Sequence, residues 1–238
     1  MKWSRPDAAL FEAWRGRARE SILEVNDGIV AAAGIAEGFA SVGASRGTLL
    51  FAGISVILAG GLAAAGARYA EVRTEWEMNR ALIDAERASI LADPEGELAE
   101  LAELYKAKGL DAQLAQQVAR ALTDRDPVAA HTDAELRLDA LGPTSGALPA
   151  AVTAGLSFGV GALLPLAAMY LLPLGERMTI TFLIVLVALG LTGWFAAWLT
   201  ELPAIRVVRR NVLLGAVTMV IGVLIGKAIG RASCRERV

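Results

Sequence analysis

Five runs of apolar residues, at 25–42, 48–67, 148–172, 179–199 and 212–229, each approach the roughly twenty residues an α-helix needs to cross about 30 Å of hydrocarbon. Backbone N–H and C=O groups meet no water in a bilayer, so such runs are viable there as helices whose bonds close internally. Between the second and third runs lies a long charged stretch, 68–139, that is acidic and patterned as helix. Composition agrees, since 55% hydrophobic residues over 238 exceeds ordinary soluble usage. The fold class that follows is an all-α integral membrane protein, with five transmembrane helices and a cytoplasmic helical-bundle insert between the second and third. Its segments are a basic amphipathic lead-in at 1–24, spans one and two within 25–69, the acidic insert at 70–147, spans three to five within 148–230, and a tail at 231–238. The tail turns polar abruptly, as a non-native remnant would, and is left out of the fold reasoning.

The net charge is only −2, and no basic patch is interleaved with aromatics, which argues against nucleic acid as a partner. The single cysteine, Cys234, has no intramolecular disulfide partner. In the lead-in, Lys2, Arg5, Arg15, Arg17 and Arg19 surround Leu10, Phe11, Trp14, Ile22 and Leu23. This suits an anionic membrane surface, and the segment lacks the apolar core and cleavage site of a signal peptide, so it is expected to be retained.

Glycines stud the first two runs: Gly28, Gly34, Gly38 and Gly43, then Gly53, Gly60, Gly61 and Gly66. Small residues let helix backbones approach closely in lipid. The two runs are therefore expected to form a tight hairpin or a dimer seam, against the alternative that glycine is simply common in spanning helices.

Punctuation divides the insert. Asp93-Pro94 ends one helix and opens the next, because the residue before proline leaves the α region while proline fits the first turn. Gly109 ends that helix, Asp111 caps a third, and Asp126-Pro127 opens a fourth. Apolar residues recur at helical spacing: Leu98, Leu101 and Tyr105; Leu114, Val118 and Leu122; Val128, Ala134 and Leu138. A bundle of about four helices results. The insert and the link with Arg206, Arg209 and Arg210 are rich in basic residues, whereas the links at 43–47 and 173–178 carry one each. By the positive-inside rule the amino terminus and insert are cytoplasmic, in a multi-pass protein expected in the cell membrane.

Two carboxylates sit in the first run. Asp27, within Asn26-Asp27-Gly28, reads either as an N-cap or as a group serving a cation or proton pathway, since a carboxylate at the edge of hydrocarbon is costly without such a role. Glu37 lies deeper and either shares that role or faces the outer interface. In the insert, Glu97 and Glu100 are neighbours at i, i+3, and His131 and Glu135 at i, i+4. Glu86 joins them if the helix before Asp93 folds back antiparallel. Carboxylates gathered around one imidazole suit a divalent first-row metal, although an acidic face is also a normal solvated surface. His131 is the only histidine, so no Glu-x-x-His pair exists and a ferritin-type oxidase is disfavoured.

Several stretches occur in an order that resembles the vacuolar iron transporter family. They are Asn26-Asp27-Gly28; Ala59-Gly60-Gly61-Leu62 leading to Gly66 and Tyr69; Glu97-Leu98-Ala99-Glu100-Leu101-Ala102-Glu103-Leu104-Tyr105 with Lys108-Gly109-Leu110; His131 through Glu135-Leu136; Phe158 to Pro165; and Leu214-Gly215-Ala216 to Gly226. The resemblance implies a homodimer that exchanges ferrous iron for protons, with a pathway near the dimer interface. It places Asp27 at the pathway aspartate, and Glu97, Glu100 and Glu135, with Glu86 through a looser alignment, among the domain glutamates. Two features depart from the pattern. Ala64 and Arg68 stand where the family usually has a methionine and a glutamate, and His131 with Thr132 stand where it has a methionine pair.

The expectation is a divalent metal/proton antiporter moving Fe2+, or Mn2+, out of the cytoplasm, and not an enzyme. Its partners are the lipid bilayer, metal ions, protons and a second copy of the chain. The rival class is a membrane-anchored metal-binding or scaffold protein that transports nothing.

Overall fold

The computed structural model describes residues 5–136, 146–173 and 175–235. Among them are α-helices, one π-helical turn and no strand. They form two compact units: one of Met1–Arg68 with Leu148–Val238, and one of Tyr69–Ala147.

The first unit holds α1 (Arg5–Ser41), the opening part of α2 (Arg46–Ala92), α6 (Ala147–Leu171), α7 (Arg177–Thr200) and α8 (Ala204–Arg235). Four of these helices, α2, α6, α7 and α8, are long and apolar enough to cross a membrane. α1 is not among them, because Asn26, Asp27 and Glu37 interrupt its apolar half. The lead-in and the first apolar run are one helix: no proline falls between Arg5-Pro6 and Ser41 to break it.

Glycine patterning finds a partner the sequence did not indicate. Gly34 and Gly38 of α1 pack against α8, where a Cβ on Gly222 would collide with the Gly34 carbonyl and one on Gly226 with the Gly38 carbonyl. The glycines of α2 instead meet α6: Gly53 faces Leu166, Gly60 the Phe158 ring, and Gly61 the Gly155 carbonyl. The tight seams are thus α1 with α8 and α2 with α6. A hairpin of α1 on α2 is not what these glycines build. Ile29 and Ala33 of α1, Val185 and Leu189 of α7 and Met219 of α8 form the apolar centre between those three helices.

Two links close one end of this unit. After α1, Gly43 takes a left-handed φ of 73°, which its missing Cβ permits. Arg46 Nη2 donates to the Leu172 carbonyl at 3.3 Å, and Arg177 Nη2 donates to the Ala44 carbonyl at 2.9 Å, so each link supplies an arginine to the other. At the lead-in, Arg15 donates to Leu199 O and pairs with Glu201 at 3.0 Å, beside the end of α7. Arg68 pairs with Glu20 of α1.

The second unit comprises the rest of α2, then α3 (Pro94–Ala107), α4 (Ala112–Thr123), α5 (Pro127–His131) and the π turn Thr132–Leu136. Each of the three new helices begins on an aspartate. Asp93 accepts from Gly96 N, Asp111 from Gln113 N and Leu114 N, and Asp126 from Ala129 N, all near 3.0 Å. Such caps satisfy donors that a helix start leaves open and are worth about 1 kcal/mol each. Gly109, at φ 104°, turns the chain between α3 and α4. Leu101, Ala102, Ala119, Ala130 and Ala134 form the core, with Leu98, Tyr105 and Leu122 against it. The fourth helix is shorter than the apolar spacing implied, passing after His131 into the π turn; Leu138 lies outside the described residues.

Candidate functional site

Within the second unit, α2 supplies Glu86, α3 supplies Glu97 and the end of α5 supplies His131. The break at Asp93-Pro94 lets α3 double back so that Glu86 and Glu97 reach one imidazole. His131 Nδ1 lies 3.1 Å from Glu86 Oε1 and 3.6 Å from Glu97 Oε2, and one ligand atom from each residue falls within 4.8 Å of the others. The imidazole is 1% exposed, while both carboxylates are partly open.

Two chemistries fit this spacing. A protonated imidazole can pair with the carboxylates directly. Alternatively, a metal with bonds of about 2.1 Å spaces adjacent ligand atoms about 3.0–3.4 Å apart, close to what the side chains present. Imidazole with two carboxylates is a borderline nitrogen and oxygen set that suits Fe2+, Mn2+ or Co2+. The π turn is locally supported, with Thr132 Oγ1 donating to Val128 O at 2.9 Å and Lys108 Nζ donating to Ala134 O at 3.2 Å. Such turns re-aim side chains and recur at functional sites.

Of the five candidate metal residues, the structure gathers Glu86, Glu97 and His131. Glu100 is exposed and stands outside the group. Glu135 is in the π turn, but its side chain lies outside the described part of the structure.

In the first unit, Asp27 lies in the interior of α1 and is exposed, so it does not cap a helix. Its neighbour Gly28 sits where α1 meets α6 backbone to backbone: a Cβ there would strike the Phe158 carbonyl, and one on Gly161 would strike that of Val25. Asn26 on the other side is buried and accepts a hydrogen bond from Thr192 Oγ1 of α7. Glu37 is 1% exposed and faces inward, toward the electrostatic reach of Arg177, and does not lie at an outer surface. Arg177 and Thr192 went unnoticed in the sequence. Arg177 read as a link cation, and only its place four residues before Thr181 on a helix face could have marked it as buried.

The chain spans less than half the length of the first curated relative it matches. That relative is the vacuolar iron transporter of Acanthamoeba castellanii, 36% identical over 121 residues, which are 51% of this chain and 43% of that one. Vacuolar iron transporter 1 of Eucalyptus grandis is 26% identical over 216 residues, covering 89% of this chain and 86% of the relative. The Arabidopsis thaliana protein of the same name is also 26% identical, covering 89% and 85%. A family model described as the VIT family matches residues 18–227, so that four apolar helices of membrane length, the acidic unit and nearly the whole order of the chain fall within it: the chain belongs to the VIT family, a family of membrane transporters and not of enzymes.

Proposed function

We propose that this protein exchanges a divalent metal, Fe2+ first and Mn2+ second, for protons, moving the metal out of the cytoplasm through a homodimer of five-span protomers. The observation that carries this reading is the convergence of Glu86, Glu97 and His131 in a chain whose relatives are named iron transporters. The second unit, residues 70–147, gathers metal on the cytoplasmic side, with Glu100 and Glu135 among its acidic residues. The fifth span is the apolar half of α1, where Asp27 and Glu37 lie on the pathway.

Asp27 supports both the pathway and the dimer. A carboxylate exposed in the interior of a spanning helix is costly against lipid and acceptable against water, a cation or a second subunit. The backbone contact at Gly28 leaves no room for lipid on the α6 side. Basic residues on the insert and on the 206–210 link support the cytoplasmic placement.

The test is flux. Liposomes carrying the full chain, loaded with a pH dye, are given Fe2+ and then Mn2+ under anaerobic conditions. Metal uptake with a matching proton movement is expected. A chain that binds metal yet moves neither metal nor protons is instead an anchored metal-binding protein.

A further inference from the structure

Glu37, Arg177 and Thr181 are each at most 4% exposed, and each holds an atom with no hydrogen-bond partner: Glu37 Oε1, Arg177 Nη1 and Thr181 Oγ1. Buried polar atoms are nearly always bonded, because leaving one unmade costs its desolvation. Three such atoms of matched character call for one explanation.

They share a place. On the buried face of α7, Arg177, Thr181, Val185 and Leu189 recur every four residues. Val185 and Leu189 pack against Ile29 and Ala33 of α1, while Ala36 and Ala40 of α1 pack near Met178. The two helices therefore run antiparallel, and one turn beyond Ala33 brings Glu37 level with Thr181 and Arg177. The Arg177 guanidinium acts electrostatically on the Glu37 carboxylate. Its Nη2 is committed to the Ala44 carbonyl at 2.9 Å, which fixes the group in place with Nη1 left over.

We propose that these three side chains form a hydrated, cation-accessible site at the end of the unit closed by the two links, with Glu37 as the cation's contact and Arg177 as its positioning residue. An open acceptor, an open donor and a hydroxyl are the set that bound water, or the water shell of a small cation, completes. Arg177 balances the carboxylate when no cation is present and opposes tight binding when one arrives. Weak binding is what an exit position requires, since an ion held firmly does not leave. That the site is an exit rests on the transport reading; that it is hydrated and admits cations does not.

The test uses the full chain in liposomes with Cys234→Ser as background, adding Thr181→Cys or, as a control from the adjoining apolar centre, Val185→Cys. Both positions are fully buried and both substitutions are nearly isosteric, so packing alone predicts equal and slow labelling. A small water-soluble methanethiosulfonate is expected to modify Thr181→Cys at least about tenfold faster, because a thiol reacts where water lets it ionise. Co2+ is expected to slow that reaction, and adding Glu37→Gln to remove the protection. Equal rates at the two positions would show a dry packing contact and overturn the proposal. Fast labelling that Co2+ leaves unchanged would overturn the cation's part in it. Absence of Fe2+ flux in the unsubstituted protein refutes the transport reading alone, leaving the labelling result to decide this one.

Discussion

At His131, a fully buried imidazole gathers two carboxylates from different helices. If the group binds metal, His131→Ala removes the only nitrogen ligand, and Co2+ affinity of the full chain measured by calorimetry should fall by at least about tenfold. Glu97→Ala should approach that loss, whereas Glu100→Ala, on an exposed side chain outside the group, should leave affinity nearly unchanged. Equal effects at 97 and 100 would mean a diffuse acidic surface and no defined site. Asp27 divides function from folding in a different way. Because it is exposed within an unbroken helix and caps nothing, Asp27→Asn should alter stability by no more than about 0.5 kcal/mol. It should nevertheless abolish metal and proton flux in liposomes. Normal flux would remove Asp27 from the pathway.

Among the helices, several glycines allow backbone to meet backbone, and they make sharp mutational contrasts. Gly28→Ala places a methyl against the Phe158 carbonyl, which cannot yield without shifting α6, so a loss of about 1–3 kcal/mol and a lower melting temperature are expected. Gly16→Ala, on the same helix with nothing within 4 Å, should be neutral or stabilise by up to about 1 kcal/mol. This contrast also shows which features sequence could reveal. The helix starts after Asp93, Asp111 and Asp126 were legible because a cap is local chemistry: an aspartate and the two or three N–H groups that follow it. The partner of Gly34 and Gly38 was not, since nothing near them in sequence distinguishes α8 from α2. Nor was the π turn after His131, or the burial of Arg177, whose bonded partner, the Ala44 carbonyl, lies 133 positions away in the chain. Glu86 fell between these cases. Its approach to His131 follows from the break at Asp93-Pro94 only if the chain doubles back there, as it does.

For the assembled protein, orientation decides the direction of any transport. In a Cys234→Ser background, a membrane-impermeant thiol reagent applied to intact cells should label Gly175→Cys in the α6–α7 link and miss Glu103→Cys in α3. The reverse pattern would place the acidic unit outside and turn export into import. The apolar centre of α1, α7 and α8 adds an electrical consequence. It lies between the bonded pair Asn26 and Thr192 on one side and Glu37 with Arg177 on the other. Asn26 and Glu37 are eleven positions apart, about 16 Å along a helix, roughly half the hydrocarbon thickness. Voltage falls across material of low permittivity and hardly at all across water, so hydration reaching Glu37 would squeeze the membrane potential into that thin layer. A unit charge carried through it would gain or lose about 2.3 kcal/mol per 100 mV. One divalent ion exchanged for two protons moves no net charge and would be indifferent to an imposed potential. Exchanged for one proton, it would speed up or slow with the sign of a potassium diffusion potential, so voltage can count the protons.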